Sequence, residues 1–153
     1  MLDRVIRVSI FLLWIAVVTI YPMLISIYVT MPLFIGFAGL MFIDGIDEDN
    51  YWKVIFSLVY IINLEVNLSL PLLLVVISII IFYFFIKSRL SFLKLCSICI
   101  NVVTVLSINV IYFALLYGYD FLNNENSVNY DSLLLFSILY DIIAAVLIWS
   151  ISL

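Results

Sequence analysis

From Val54 to Ile86 the chain carries a single charged side chain, Glu65. One helix over that whole run would measure about 50 Å, far beyond the ~30 Å apolar core of a bilayer and longer than most globular domains accommodate. The run is therefore expected to break, and the break falls at NLEVNLSLP, residues 63–71. Pro71 disfavours helix for the residues just before it, and Asn63 and Asn67 can satisfy the backbone groups that a break releases. A second apolar run, from Val5 to Ile43, is longer still and contains Pro22 and Pro32. Pro22 is expected to kink its helix, and Pro32 to open the next segment.

Runs of this kind leave little to cover a water-soluble globule. The 153 residues are 68% hydrophobic and 10% charged, with a mean hydropathy of +1.38, a composition that points to an integral membrane protein. A transmembrane barrel is disfavoured, since its strands would alternate apolar and polar whereas ISIIIFYFFI (77–86) is apolar almost throughout. The net charge of −4 argues against a nucleic-acid partner, because nothing here could neutralise several phosphates. Arg4 and Arg7 precede an apolar stretch much longer than a signal-peptide core, so the first segment is expected to be retained as an anchor.

The basic residues set the topology. Arg4 and Arg7 at one end and Lys87, Arg89 and Lys94 in KSRLSFLK mark the cytoplasmic side, and the stretch 119–131, without lysine or arginine, marks the outside. Tyr51 and Trp52 beside Lys53 suit a membrane–water interface. The expected fold is a single all-α polytopic membrane domain over residues 1–153. It has six hydrophobic segments at 5–30, 31–43, 54–66, 70–86, 95–117 and 132–153, with both termini cytoplasmic. Two segments, 31–43 and 54–66, are short, and Asp47 falls on the cytoplasmic side. The alternative is four long, kinked spans, which would place Asp47 outside. No clear internal repeat is visible.

Polar groups inside these segments are the candidate sites. Glu65 and Asp141 lie far from the charged boundaries of their apolar runs, with no basic residue inside a segment to pair them. At about 100° per residue, Ser137, Asp141, Ala144, Ala145 and Ser152 share one stripe of the last segment. Ser97, Asn101, Thr104 and Tyr112 share a face of the fifth, with Asn109 pointing away from it. Gly36 and Gly39 are expected to admit a neighbouring helix closely. Three readings stay open for Glu65, Asn63, Asn67, Asp141, Asn101 and Ser137: hydrogen-bonded helix packing, contact with another membrane protein, or a proton or ligand path. Glu65 itself is expected near the outer ends of two helices, within reach of water. No catalytic, cofactor or metal site is expected, since the chain has no histidine, its Cys96–x–x–Cys99 stands alone in an apolar run, and no nucleophile–base or acid pair is spaced for chemistry. The two cysteines read as small buried side chains.

The order of features resembles the MreD rod-shape-determining family of bacterial inner-membrane proteins. The local likeness lies in FSLVYIINLEVNLSLPLLLVVISIIIFYFF, residues 56–85, an apolar helix running into an acid, a small or polar turn, then another apolar helix. Glu65 stands where the family usually has an aspartate, and Asn63, Asn67 and Ser69 stand in place of its surrounding glycines. The resemblance implies a non-catalytic scaffold of the cell-elongation machinery in the bacterial inner membrane. It also implies a bitopic MreC-like partner and, through it, the enzymes that extend peptidoglycan. The family is similar in fold to the substrate-binding membrane subunits of vitamin transporters. That likeness supplies the alternative of a small-ligand-binding subunit of a transport complex; an accessory subunit of another membrane complex is a third expectation.

Overall fold

A computed structural model describes residues 2–28, 31–90, 97–123 and 131–151. They form six helices, and no strand occurs among them. In chain order these are α1 (Leu2–Ile27), α2 (Ile35–Asp47), α3 (Tyr51–Asn67), α4 (Leu74–Ile81), α5 (Ser97–Asn123) and α6 (Asp131–Ile151). The α4 helix widens into a π-helical turn at Phe82–Lys87 and ends at Ser88–Leu90.

The short helix α2 occupies the centre, packed against α3, α4, α5 and α6. Its small residues make this possible. A Cβ on Gly39 would come within 2.8 Å of the Ile108 side chain, and one on Gly45 would meet Val54 at the same distance. Around α2 the core gathers Ile35 and Ile43, Ile61 and Leu64 from α3, Val75 and Ile79 from α4, and Ile108 and Tyr112 from α5. The last helix, α6, runs alongside α2 in step: Leu33 meets Ser137, Gly36 meets Asp141, and Leu40 packs with Ala145.

Each long apolar run folds back on itself. Lys87, at the end of α4, bonds to Asp47 at the end of α2 and lies over the Tyr83 ring. The Glu65 carboxylate, near the end of α3, bonds to the start of α4. The chain therefore reverses between α1 and α2 and again between α3 and α4, giving six helices in place of the alternative of four long, kinked ones.

Several boundaries differ from those expected. The α1 helix continues through Pro22. The second helix begins at Ile35, not at residue 31, because Phe34 adopts a left-handed conformation (φ 50°) that helix cannot include. Most of the polar stretch DGIDEDN is helical, and only Glu48–Asn50 turn: Asp49 takes φ 52°, and the N–H of Asn50 closes onto the carbonyl of Gly45. The α5 helix runs past Tyr117 to Asn123, so residues 119–123 are helix, not loop.

One helical stretch among the described residues, Ile98–Asn123, is long and apolar enough to cross a membrane. Among the other helices the lengths differ widely, with 13 residues in α2 and 26 in α1.

The reversal predicts which ends meet. With Cys96 and Cys99 replaced by serine, Asp47→Cys and Lys87→Cys should be joined by a short bismaleimide within one molecule, seen as a shift on a denaturing gel. Four long, kinked helices would put these positions at opposite ends and give no crosslink.

Candidate functional site

The start of α2 has no side chain of its own to cap it. Helices usually begin at Ser, Thr, Asp or Asn, whose oxygen accepts from the first free N–H groups; here the capping position is Phe34, left-handed and apolar. The acceptor comes from far along the chain, on α6. Asp141 Oδ2 accepts from the Gly36 N–H at 2.8 Å and from Asn109 Nδ2 at 2.9 Å. The negative charge or dipole sits at the positive end of α2, where it is favoured. Gly36 permits the approach. Any Cβ there would lie 2.3 Å from Asn109 Nδ2 and 2.9 Å from Asp141 Oδ2.

The turn before α2 is held from three sides. Tyr21 of α1 donates its hydroxyl to the Pro32 carbonyl at 2.9 Å, Tyr60 of α3 donates to the Leu33 carbonyl at 2.8 Å, and the Leu33 N–H donates to Ser137 Oγ of α6 at 3.0 Å. A left-handed phenylalanine is costly, on the order of 1–2 kcal/mol. These bonds fix the turn that demands it.

The start of α4 repeats the arrangement. Leu73, its capping residue, is left-handed (φ 68°), and the acceptor is again a carboxylate: Glu65 Oε2 takes the Leu73 N–H at 2.7 Å and Oε1 takes the Val75 N–H at 2.9 Å. The same residue's backbone carbonyl accepts from the Leu70 N–H at 2.9 Å, closing the end of α3 with Ser69 left-handed (φ 53°). Pro32, Phe34 and Gly36 thus correspond to Pro71, Leu73 and Val75 at one constant offset along the chain. This is an internal repeat of backbone and capping that so few shared side chains conceal. Glu65 is fully buried, not within reach of water as expected from the sequence. It is covered because its side chain folds back onto the Leu73 and Val75 N–H groups at the start of α4.

Asn63 and Asn67 serve α1. Pro22 has no N–H, so the Val18 carbonyl one turn earlier lacks its helical donor; Asn63 Nδ2 donates to Val18 O at 3.2 Å and to Thr19 O at 3.1 Å. Asn67 Nδ2 donates to Asn63 Oδ1 at 2.7 Å, which fixes the amide with its NH2 toward α1. The proline is compensated from outside, and the helix runs on through it.

Asn109, which the helical wheel turned away from the polar face of the fifth segment, is buried and central. The reason is that α5 packs on α2, α4 and α6 at once, so its inner face is wide enough to include residue 109 beside Thr104, Val105 and Ile108. Asn101 is half-buried two turns along α5, about 12 Å away. Ala144 is half-buried and Ala145 buried on the α6 stripe; Ser152 and the Ser97 side chain lie outside the described residues. Cys99 is exposed and disulfide-bonded, not buried as a small apolar thiol, while Cys96 lies outside the described residues.

Chemically, the arrangement commits its carboxylates separately. Glu65 and Asp141 each serve their own helix start and do not form an acid pair, and among the described residues no group of three His, Cys, Asp or Glu side chains could hold a metal. Asp141 Oδ1 and the Tyr112 hydroxyl are buried without a hydrogen-bond partner among those residues. Tyr21, Tyr60 and Asn109 escaped the sequence reading. The available signal was the lack of any Ser, Thr, Asp or Asn ahead of IGFAGL and LVVISI, set against two acids without a partner. No protein-family model matches the chain, and no characterised protein or solved structure matches it either.

The link between Pro22 and Asn63 predicts a non-additive pair. In equilibrium denaturation in detergent, Asn63→Ala should cost about 1 kcal/mol. In a Pro22→Ala background, where residue 22 regains the N–H that Val18 needs, it should cost clearly less. Equal costs would break the link.

Proposed function

We propose that this protein is a multi-pass membrane protein that acts as a non-catalytic scaffold, its polar groups used to build the helical frame and its flanks left for lipid and partner helices. The observation that carries the reading is an inverted distribution of polarity. Glu65, Asp141, Asn109, Ser137 and Thr104 are buried, while Leu13, Ile27, Phe84, Val110, Phe121 and Phe136 are largely exposed. Helices apolar on their outer faces and polar within suit a lipid surround, where every backbone group must find a partner inside the protein. The carboxylate caps on α2, from α6, and on α4, from the preceding helix, meet that requirement at two chain reversals.

The same pattern supports a scaffold over an enzyme. Catalysis needs side chains free to meet a substrate, and here both Glu65 oxygens, Asp141 Oδ2 and the amides of Asn63 and Asn109 are engaged with backbone groups and with one another, while the remaining Asp141 oxygen is buried. A transport subunit holding a polar small molecule is less favoured. The large cleft between α1 and α2 is lined by apolar side chains and by Tyr21, Tyr60 and Ser57, whose hydroxyls already bond to backbone carbonyls.

The positive-inside rule favours Lys53, Lys87 and Arg89, with both termini, at the cytoplasmic face of a bacterial inner membrane. The helix, buried acid, turn and helix of residues 56–85 support the resemblance to MreD, and on it the partner is a bitopic MreC-like protein of the cell-elongation complex. Affinity purification in a gentle detergent, with mass spectrometry of co-purifying chains, tests the proposal. Peptidoglycan-elongation proteins are the expected result. Recovery of a transport ATPase pair, or of the chain alone, would contradict it.

A further inference from the structure

We infer that the cleft between α1 and α2 is a seat for one acyl chain of a membrane phospholipid, held lengthwise between the two helices. The inference rests on the membrane reading above and adds a specific ligand to it. The α1 helix packs mainly on α3, as does α2, and the two stand apart from each other over two turns. Trp14, Val17, Val18 and Tyr21 form one wall, and Phe34, Phe37, Ala38 and Met41 the other. Phe56 and Tyr60 of α3 and Ala144 of α6 also line the space.

Chemistry first limits the occupant to something apolar. Three hydroxyls border the space, and all are engaged elsewhere: Tyr21 with the Pro32 carbonyl, Tyr60 with the Leu33 carbonyl, and Ser57 with the Val54 carbonyl. A polar ligand would leave its own groups without partners in a dry cleft, which is costly.

Size then separates a chain from a helix. The cleft holds about 280 Å³. A cavity of about 150 Å³ admits a benzene ring, so this one admits roughly a dozen carbons. Two turns of a partner helix carry about seven residues within a diameter of about 10 Å, far too much to enter. The shape agrees. The cleft follows the helix axes for about 10 Å, the rise of two turns from Trp14 to Tyr21. One end is stopped by aromatic rings, with Tyr21 and Phe34 centred 5.5 Å apart and Tyr21 and Tyr60 6.4 Å apart. A blind apolar slot parallel to the helices suits an alkyl chain lying along the bilayer normal.

The test is native mass spectrometry of the full chain, released from nanodiscs made with dioleoyl phosphatidylethanolamine and phosphatidylglycerol. Wild type should retain one phospholipid. Ala144→Phe, which fills the slot, and Val17→Phe, at its more exposed wall, should each lower retention at least tenfold, while Ile143→Phe on the exposed side of α6 should not. Circular dichroism checks that each variant is folded, and Val17→Phe carries the test if Ala144→Phe is not. Wild type without lipid, detergent bound in its place, or equal retention in folded slot variants would overturn the inference. Failure of the chain to partition into the bilayer at all would instead overturn the membrane reading.

Discussion

Two helices in this protein begin where their own sequence offers nothing to begin them. The first free N–H groups of α2 and α4 follow turns whose capping residues, Phe34 and Leu73, are apolar and left-handed. A buried N–H left without an acceptor costs about 1–3 kcal/mol, and each helix start presents several. The carboxylates of Asp141 and Glu65 remove that cost, and most of the architecture follows from bringing them there. Asp141 must be carried in on α6, which therefore lies in step with α2. Gly36 must lack a side chain, and Asn109 must share the carboxylate. Glu65 sits at the end of α3 and reaches across its own turn, which fixes how α4 departs.

The same constraint explains why the chain is polar inside and apolar outside. At its reversals the protein supplies tyrosine hydroxyls, a serine and two carboxylates to the backbone, and an asparagine to the carbonyl that Pro22 leaves unpaired. The Glu65 carboxylate and the Asn63 and Asn109 amides are thereby committed to the protein's own backbone and side chains, while large apolar side chains face outward. A scaffold that holds lipid and partner helices is consistent with such a division of labour.

Much of this was legible in the sequence, and the part that was not has a definite cause. Apolar run lengths and prolines located both reversals, and the isolation of Glu65 and Asp141 marked them as the residues needing an explanation. Periodicity also put Ser137, Asp141 and Ala145 on one face. The partners were not legible, because a cap supplied from a distant helix leaves no local pattern and pairwise geometry is set by packing. Asn109 was misplaced for a related reason: a helical wheel assumes one buried face, and α5 is buried by three neighbours. That α1 would run on through Pro22 with a donor from α3 was likewise not legible, because Asn63 lies 41 residues further along the chain. The repeat that relates the starts of α2 and α4 was hidden because what recurs is a backbone conformation and its carboxylate, drawn from different places in the chain.

The central claim is that each acid caps one particular helix start, and amide hydrogen exchange of the purified protein measures that directly. Wild type should protect the amides at residues 35–38 and 74–77. Asp141→Ala should speed exchange at 35–38 and spare 74–77, and Glu65→Ala should do the reverse. Free exchange at both starts in wild type, or either substitution deprotecting both segments equally, would contradict the account.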